Sequence, residues 1–223
     1  MKLVEYPDAE MMMMDLADTL ASELKNCLLV HEHASFAVPG GTTPGPIFDS
    51  LCAVDLDWSR VHVMLTDERW VPEDHPRSNA ALVKSRLLTG RAAAARFISF
   101  YREGMTAAQA APVLSEELKV EMPLSLLLLG MGEDMHTASL FPGAPGTAAA
   151  MAPDAPILCA VSPEDQPEER LTFSAPALNG AMDKHLVIFG DAKRAAFEGS
   201  ARMPPAQAPV RAVMEGGIVH WAA

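Results

Sequence analysis

Short apolar runs alternate with segments of helical periodicity along most of this sequence. The apolar runs lie at residues 35–38, 61–65, 97–100, 124–129 and 185–189. Helical spacing of apolar residues predicts helices over residues 8–29, 78–88 and 106–119, a shorter one that ends near residue 53, and another that begins near Asp191. Runs that are apolar throughout indicate strands covered on both faces. We therefore expect an α/β fold, a single doubly wound, mostly parallel sheet with helices on both faces.

The whole chain, residues 1–223, is expected to form one domain. A chain of 223 residues, 49% of them hydrophobic and 21% charged, can bury a sizeable core within the range of one α/β domain. We interpret residues 143–156, rich in alanine and proline, as a long surface loop. Pro204-Pro205 indicates a turn before the last helix or strand.

The net charge of −12 limits the partners of this chain. It argues against nucleic acid or an anionic membrane surface as a partner. No apolar run approaches the roughly 18 residues that a membrane span needs. An anionic substrate must therefore be met by a local cluster of donors, because the overall field repels it.

Cysteine usage and the amino terminus predict where the protein works. Cys27, Cys52 and Cys159 are far apart and form no C-x-x-C motif, a pattern unlike a disulfide framework. The first ten residues, MKLVEYPDAE, lack the apolar region of a signal peptide. We expect a cytoplasmic protein that is a monomer or a weak homo-oligomer.

His31-Glu32-His33 consists of residue types that can ligate a metal ion. No third ligand is evident nearby in the sequence. We therefore interpret this tripeptide as a solvated turn after the first helix, and we expect no metal site in the chain.

A glycine-rich segment follows the strand at residues 35–38. In Gly40-Gly41-Thr42-Thr43-Pro44 the glycines let the backbone approach a ligand, the hydroxyls add donors, and the proline opens a helix whose amino end attracts anions. These residues suit a phosphate cradle, although an ordinary strand-to-helix turn uses the same residue types. The segment is neither a P-loop nor a dinucleotide-binding fingerprint.

Two other strands also end in polar residues. Asp67-Glu68-Arg69 follows the strand at residues 61–65, where a solvated loop with internal ion pairs is the alternative interpretation. After the most apolar strand, Asp134 and His136 lie on a turn that Gly130 and Gly132 free to bend. Ser139 lacks the G-x-S-x-G elbow of a nucleophile, so a histidine without a nucleophile favours general-base activation of water.

Together these segments resemble one family, the 6-phosphogluconolactonases, hydrolases of the oxidative pentose phosphate pathway. The matching stretches follow the order of the family and span most of the chain. They are Gly-Gly-Thr-Thr-Pro at 40–44, Asp-Glu-Arg-Trp-Val-Pro at 67–72, Ser-Asn at 78–79, Gly-Met-Gly-Glu-Asp-Met-His-Thr-Ala-Ser-Leu-Phe-Pro at 130–142, Arg-Leu-Thr at 170–172 and Gly-Asp-Ala-Lys at 190–193.

The resemblance implies a fold similar to that of glucosamine-6-phosphate deaminase and ribose-5-phosphate isomerase, and it implies roles for individual residues. His136 would be the general base for hydrolysis of a phosphorylated sugar lactone, with Asp134 beside it and no cofactor or metal required. The residues implied in binding the substrate and its phosphate are Gly40, Gly41, Thr42, Thr43, Asp67, Arg69, Asn79, Arg170 and Lys193.

This chain departs from the family pattern at two positions. Pro39 replaces a frequent serine before the double glycine, and Met135 stands where the family typically has glycine. If the turn requires a positive φ at Met135, methionine carries a steric cost of about 1–2 kcal/mol there.

Three alternatives remain open at this point. Sugar-phosphate isomerase-deaminases of the same fold carry a similar Asp-Gly-His but continue with Ala-Phe-Asn-Glu-Pro, whereas residues 137–142 here contain no acid. A non-catalytic sugar-phosphate-binding regulator is a second alternative. In a third, Arg170 pairs with Glu168 or Glu169 and Lys193 with Asp191 at the surface, and neither cation binds phosphate.

Overall fold

The computed structural model describes residues 1–164 and 166–223. In this part of the chain the strands are β1 (Lys2–Tyr6), β2 (Ala34–Val38), β3 (Val61–Leu65), β4 (Asp67–Arg69), β5 (Arg96–Ile98), β6 (Leu126–Gly130), β7 (Leu158–Val161), β8 (Arg170–Phe173), β9 (Asp183–Phe189) and β10 (Ile218–Ala222). The helices are α1 (Ala9–Val30), α2 (Gly45–Leu51), α3 (Asn79–Arg86), α4 (Ala107–Glu117), α5 (Thr147–Ala150), α6 (Ala175–Asn179), α7 (Gly190–Gly199) and α8 (Val210–Val213). Short 3₁₀ turns lie at Trp58–Arg60, Gly90–Ala94, Leu118–Glu121 and Ser200–Arg202.

The main sheet has the strand order β1-β10-β9-β6-β2-β3-β5, and all its neighbouring pairs are parallel. From β2 the chain moves outward to β3 and β5, then returns to β6 on the other side of β2. Such a reversal opens a crevice at the carboxyl ends of the strands, where α/β proteins bind ligands. The predicted α/β fold with a mostly parallel sheet is confirmed.

Burial explains why the central strands are apolar throughout. All five residues of β2 are buried, as are Leu126, Leu127, Leu128 and Leu129 of β6. A strand in the middle of a parallel sheet meets packed side chains on both faces, so it shows no alternation of polar and apolar residues. The same burial fixes the backbone at the points where the polar turns begin.

The first helix follows its sequence signals closely. Asp8 is the N-cap, and its carboxylate accepts a hydrogen bond from the Met11 amide at 2.8 Å. The buried residues recur at helical spacing: Met12, Leu16, Ala17, Leu20, Ala21, Leu24 and Leu28. The helix predicted over residues 8–29 is therefore confirmed, as are the strands at 61–65 and 185–189 within two residues.

A second, three-stranded antiparallel sheet, β4-β8-β7, was not predicted. Its strands have three or four residues, and β4 consists entirely of charged side chains, so local periodicity gives no strand signal. The pairing places Arg69 opposite Arg170 and Asp67 opposite Thr172. This sheet joins two segments that lie about 100 residues apart in the sequence.

The structure differs from the sequence predictions in a few other segments. Residues 143–156 are not simply a surface loop, because they include α5, whose Thr147 and Ala150 are buried. The edge strand β1 was also missed, and both α8 and β10 follow Pro204-Pro205. Among the described residues, each helix is either too short or too polar to span a bilayer. The expectation of one domain over residues 1–223 stays a prediction.

Candidate active site

A cavity of about 340 Å³ opens at the carboxyl ends of β2, β3, β6 and β9. Two of the predicted site residues, Thr42 and Asp134, do not line it. Asp134 lies behind His136, whereas Thr42 contributes its carbonyl oxygen to the turn that leads into α2. The predicted residues that the structure brings together around this cavity are Gly40, Gly41, Thr43, Asp67, Arg69, Asn79, His136, Arg170 and Lys193.

The glycine segment after β2 owes its sequence to close packing. A Cβ atom on Gly40 would lie 1.9 Å from Oδ1 of Asn79, whose side chain is buried and donates to the Asp67 carbonyl at 2.8 Å. Gly41 adopts a φ of 83°, which favours glycine. The two glycines therefore bring the backbone against Asn79 and turn it toward the cavity.

The buried carboxylate of Glu68 holds two backbone segments of the site together, a role that the sequence motif does not predict. Its buried carboxylate accepts hydrogen bonds from the Ser78 hydroxyl and from the backbone amides of Arg69, Asn79 and Ala80, at 2.7–2.9 Å. Burial raises the pKa of Glu68 despite these donors. Glu68 thus ties β4 to the amino end of α3 and fixes Asn79 beside Gly40.

The carboxylate of Asp67 is held by hydroxyl groups, and no cation among the described residues forms an ion pair with it. Its carboxylate accepts from the Ser139 hydroxyl at 2.6 Å and from the Thr66 hydroxyl at 3.0 Å. The Ser139 amide in turn donates to the Thr172 hydroxyl at 3.2 Å. Ser139, which the sequence does not favour as a nucleophile, is a buried link between the turn after β6 and the first residue of β4.

His136 and Asp134 form a hydrogen-bonded pair. The Asp134 carboxylate accepts from His136 Nδ1 at 2.5 Å and from the His136 amide at 3.2 Å. The bond with His136 holds the pKa of Asp134 below its ordinary value. Because a carboxylate accepts, Nδ1 carries the proton, and Nε2 of the neutral ring keeps a lone pair.

The turn after β6 presses the histidine ring against its own backbone. A Cβ atom on Gly132 would lie 2.3 Å from the His136 ring, so only glycine fits there. The ring also packs on Phe141, with a distance of 4.5 Å between the ring centroids. The ring is therefore fixed by packing as well as by Asp134.

Two residues with side chains adopt left-handed backbone conformations on either side of His136. Met135 has a φ of 65° and Ala138 a φ of 48°. The turn therefore does require a positive φ at Met135, and methionine carries the steric cost that this conformation implies. Such conformations are costly for non-glycine residues and tend to occur at functional sites.

Arg170 is buried, and no carboxylate among residues 1–164 and 166–223 forms an ion pair with it. One guanidinium nitrogen donates to Gln166 at 2.9 Å, while Nε has no partner among the described residues. Burial, and then the neighbouring charge of Arg69, lower the pKa of Arg170. Two arginines facing each other across β4 and β8 favour an anion between or beside them.

The ion pairs considered as an alternative from the sequence are not those found in the structure. Glu168 pairs with Arg77 at 2.7 Å, and within residues 1–164 and 166–223 neither Arg170 nor Lys193 forms an ion pair. Lys193, on α7, lines the same cavity. Arg69, Arg170 and Lys193 thus form a local cluster of positive charge on a chain of net charge −12.

A second cavity of about 640 Å³ adjoins the first and shares His136 and Phe141 with it. Its walls include the carboxylates of Glu133, Asp134 and Glu164. An anionic group is disfavoured on this side and favoured on the side of the arginines. The electrostatics therefore orient an anionic ligand with its charged end away from Asp134.

Comparison with known proteins identifies the family. The sequence profile described as glucosamine-6-phosphate isomerases/6-phosphogluconolactonase matches residues 7–221. The chain belongs to this family. A 6-phosphogluconolactonase of Pseudomonas aeruginosa is 40% identical over 215 residues, which cover 92% of this chain and 88% of the relative.

Solved structures support the same assignment. The crystal structure of a 6-phosphogluconolactonase from Shewanella baltica superposes with a TM-score of 0.95 at 31% identity, covering 100% of this chain and 97% of that one. A monomeric glucosamine-6-phosphate deaminase gives a TM-score of 0.84 over 100% of this chain and 97% of that one, but at 16% identity this likeness concerns the fold alone. The family resemblance and the fold expected from the sequence are confirmed.

Proposed function

We propose that this protein hydrolyses 6-phospho-D-glucono-1,5-lactone to 6-phospho-D-gluconate. The observation that carries the proposal is one cavity lined both by His136, which is backed by Asp134, and by the buried Arg170, which has no carboxylate partner among the described residues. The first arrangement activates water, and the second binds an anion. Family relatives that carry the name 6-phosphogluconolactonase support the choice of substrate.

In this mechanism His136 acts as the general base. Its Nε2 lone pair takes a proton from water as the water oxygen attacks the lactone carbonyl carbon. The Asp134 carboxylate holds the ring through Nδ1 and stabilises the imidazolium that forms. No nucleophilic side chain is needed, because water itself forms the new C–O bond.

Collapse of the tetrahedral intermediate completes the reaction. The bond between the former carbonyl carbon and the ring oxygen breaks, and the ring oxygen receives the proton held by His136. The product is an open-chain acid, which ionises to the carboxylate, and His136 returns to its neutral form. One histidine therefore serves first as base and then as acid.

The phosphate group lies beside Arg69, Arg170 and Lys193 in this proposal. Charge-assisted hydrogen bonds to phosphate are among the stronger polar contacts, and a guanidinium can make two in parallel. Asn79, and the loop of Gly40, Gly41 and Thr43, line the same cavity and contact the sugar. Asp134 and the neighbouring carboxylates lie on the other side of His136, where they do not oppose the phosphate.

A lactonase assay with the purified protein tests this function. The expected result is disappearance of freshly made 6-phosphogluconolactone much faster than its spontaneous hydrolysis. His136→Ala should lower kcat by about 10²–10⁴-fold while the fold is kept, because the contribution of a general base is of that size. The matched control is His31→Ala, at an exposed histidine remote from the cavity, which should keep the wild-type rate.

The same assay separates the competing functions. A sugar-phosphate isomerase-deaminase would act on an amino sugar phosphate and leave the lactone untouched. A regulator would bind sugar phosphates without turnover. Near wild-type turnover by a well-folded His136→Ala protein would refute the role given to His136.

The proposal also includes a cytoplasmic location and a protein that works as a monomer or a weak homo-oligomer. The three cysteines are free thiols, as suits a reducing compartment. The net charge of −12 gives no support to a nucleic acid as partner.

A further inference from the structure

A second group of histidine and carboxylate side chains lies at the amino ends of β2 and β3, at the opposite end of these strands from the main cavity. His33 directly precedes β2, His62 is the second residue of β3, and Glu121 ends the 3₁₀ turn after α4. Their ligand atoms lie within 4.8 Å of one another, and we call these three residues the His33 cluster. They are far apart in the sequence, which is why His33 had no evident partners there.

The donor atoms of the cluster converge on one carboxylate. Nδ1 of His62 lies 3.0 Å from Oε1 and 2.9 Å from Oε2 of Glu121, and Nε2 of His33 lies 3.2 Å from Oε2. The two imidazole rings are stacked, with 4.3 Å between their centroids and 16° between their planes. Both rings therefore present a nitrogen to the same small volume.

Burial makes the carboxylate unusual. The Glu121 side chain is 3% exposed, and within the described residues its ion-pair partners are the two histidines and no lysine or arginine. A buried carboxylate is costly unless a cation or several hydrogen bonds compensate it. The site is also held in place, since the Ser35 hydroxyl donates to the Glu121 carbonyl at 2.9 Å.

We propose that His33, His62 and Glu121 bind a Zn²⁺ ion. Zinc bonds of about 2.0–2.2 Å in a tetrahedral site place neighbouring ligand atoms about 3.3 Å apart. The two separations between a histidine nitrogen and the Glu121 carboxylate, 2.9–3.2 Å, are within a few tenths of an ångström of that value, and the two histidine nitrogens lie within 4.8 Å of each other. Small side-chain movements are enough to admit the ion.

The ligand types select the class of metal. Two imidazole nitrogens and one carboxylate oxygen suit Zn²⁺ and related transition ions, whereas Mg²⁺ and Ca²⁺ prefer oxygen ligands throughout. Three protein ligands leave a fourth position for water. A cavity of about 340 Å³, lined in part by His33, Glu121 and the hydroxyl-bearing Ser35 and Ser125, provides the space for it.

The ion would stabilise the fold and take no part in the reaction at His136. It would join the starts of β2 and β3 to the segment that leads into β6. His62 lies near the start of β3, whereas Asp67 of the main cavity follows the end of that strand, roughly 17 Å further along at the usual rise per residue. Its effect is therefore expected on unfolding and not on kcat.

Metal titration of the full-length, metal-stripped protein tests the proposal. Isothermal titration with ZnCl₂ should give one saturable site per chain, and Co²⁺ should give the visible absorption of a tetrahedral site. His33→Gln and Glu121→Gln should each weaken binding by at least tenfold, because even outer-shell changes at metal sites cost 10–100-fold. His33→Gln is the safer variant for folding, since His33 is partly exposed.

His75→Gln is the control, because His75 is exposed and belongs neither to the cluster nor to the cavity beside it. It should bind zinc as the wild type does. At a zinc concentration 100-fold above Kd, Tm of the wild type should rise by about 5–10 °C, and Tm of His33→Gln should not. MgCl₂ should leave Tm of both proteins unchanged.

Three results would overturn the proposal. They are the absence of saturable zinc binding to the folded wild type, equal affinity in the wild type and both ligand variants, and equal weakening by His75→Gln. In each case the cluster would be a hydrogen-bonded packing feature. None of these results bears on lactone hydrolysis, so the two proposals fail independently.

Discussion

Met135 shows how a single residue can carry the strain of a site. It holds a left-handed conformation one residue before His136, and its side chain packs partly against the core. Its carbonyl also accepts a hydrogen bond from the Val210 amide at 3.3 Å. The packing of the side chain thus offsets part of the conformational cost of the turn.

A pair of substitutions at Met135 separates these two effects. Both Met135→Gly and Met135→Ala remove the side-chain contacts, but only glycine relieves the positive φ. We expect Met135→Gly to be more stable than Met135→Ala by about 1 kcal/mol in urea unfolding. Both variants should keep most activity, because Asp134 and Phe141 hold the His136 ring. An alanine variant as stable as the glycine variant would show that the positive φ at residue 135 carries no strain.

At the scale of elements, a hydrogen-bonded chain of side chains links α1 to three adjacent strands. Glu23 of α1 contacts His185 Nε2 on β9 at 2.7 Å, and His185 Nδ1 contacts His220 Nε2 on β10 at 2.9 Å. His220 Nδ1 then contacts the Tyr6 hydroxyl on β1 at 2.9 Å, and Tyr6 donates to Asp15 of α1 at 2.6 Å. The chain runs across one edge region of the sheet and returns to the helix on which it began.

His220, in the middle of these hydrogen-bonded side chains, predicts that the protein loses stability at acidic pH. Burial, followed by the charges of His185 and Lys2 and opposed by Asp15, lowers the pKa of His220 from 6.5 to about 4. The unfolded chain therefore takes up a proton between pH 6.5 and 4 that the folded protein does not. As the pH is lowered through this window, the free energy of unfolding should decrease by on the order of 3 kcal/mol from His220 alone.

Urea unfolding between pH 7 and 4 measures this contribution. His220→Gln should be less stable than the wild type at pH 7 but should lose less stability as the pH falls, since it has no imidazole to protonate. His31→Gln, at an exposed histidine, should follow the wild-type slope. Carboxylates that titrate in every variant cancel in this comparison, so identical slopes for His220→Gln and the wild type would disprove the assignment.

At the scale of the whole molecule, charge distribution matters more than net charge. A chain of net charge −12 does not attract a phosphorylated substrate through its overall field. The tertiary structure gathers Arg69, Arg170 and Lys193 around one cavity and leaves the carboxylates of Glu133, Asp134 and Glu164 on the adjoining one. The protein can thus be acidic as a whole and still present an anion-binding surface.

Removal of single cations tests that arrangement. Arg170→Met and Lys193→Met should each raise KM for 6-phosphogluconolactone more than about tenfold, because a charge-assisted contact contributes about 1.5–3 kcal/mol. Hydrolysis of unphosphorylated gluconolactone should change far less. Arg91→Met is the control, since Arg91 is exposed, is paired with Asp55 and does not line the cavity, so it should affect neither substrate. Equal losses on both lactones would assign Arg170 and Lys193 to the carbonyl or to the fold.

The sequence by itself determined the regular elements and the place of the chemistry. The strand at Val61–Leu65, the helix capped by Asp8 and the apolar run that ends at Gly130 follow from local periodicity, capping and burial. Polar residues after such strands indicated that the site lies at the carboxyl ends of the strands, because these ends lie side by side in a parallel sheet. These inferences depend on residues that are neighbours in the chain, and a sequence records such neighbours directly.

Tertiary structure alone decided which distant residues meet. The pairing of Arg69 with Arg170, the buried carboxylate of Glu68 under Asn79, and the meeting of His33 with His62 and Glu121 all join separate segments. The short charged strand β4 has no periodic signal, and it is a strand because it pairs with the distant β8. Such contacts depend on the burial free energy of the whole chain, which local patterns do not contain.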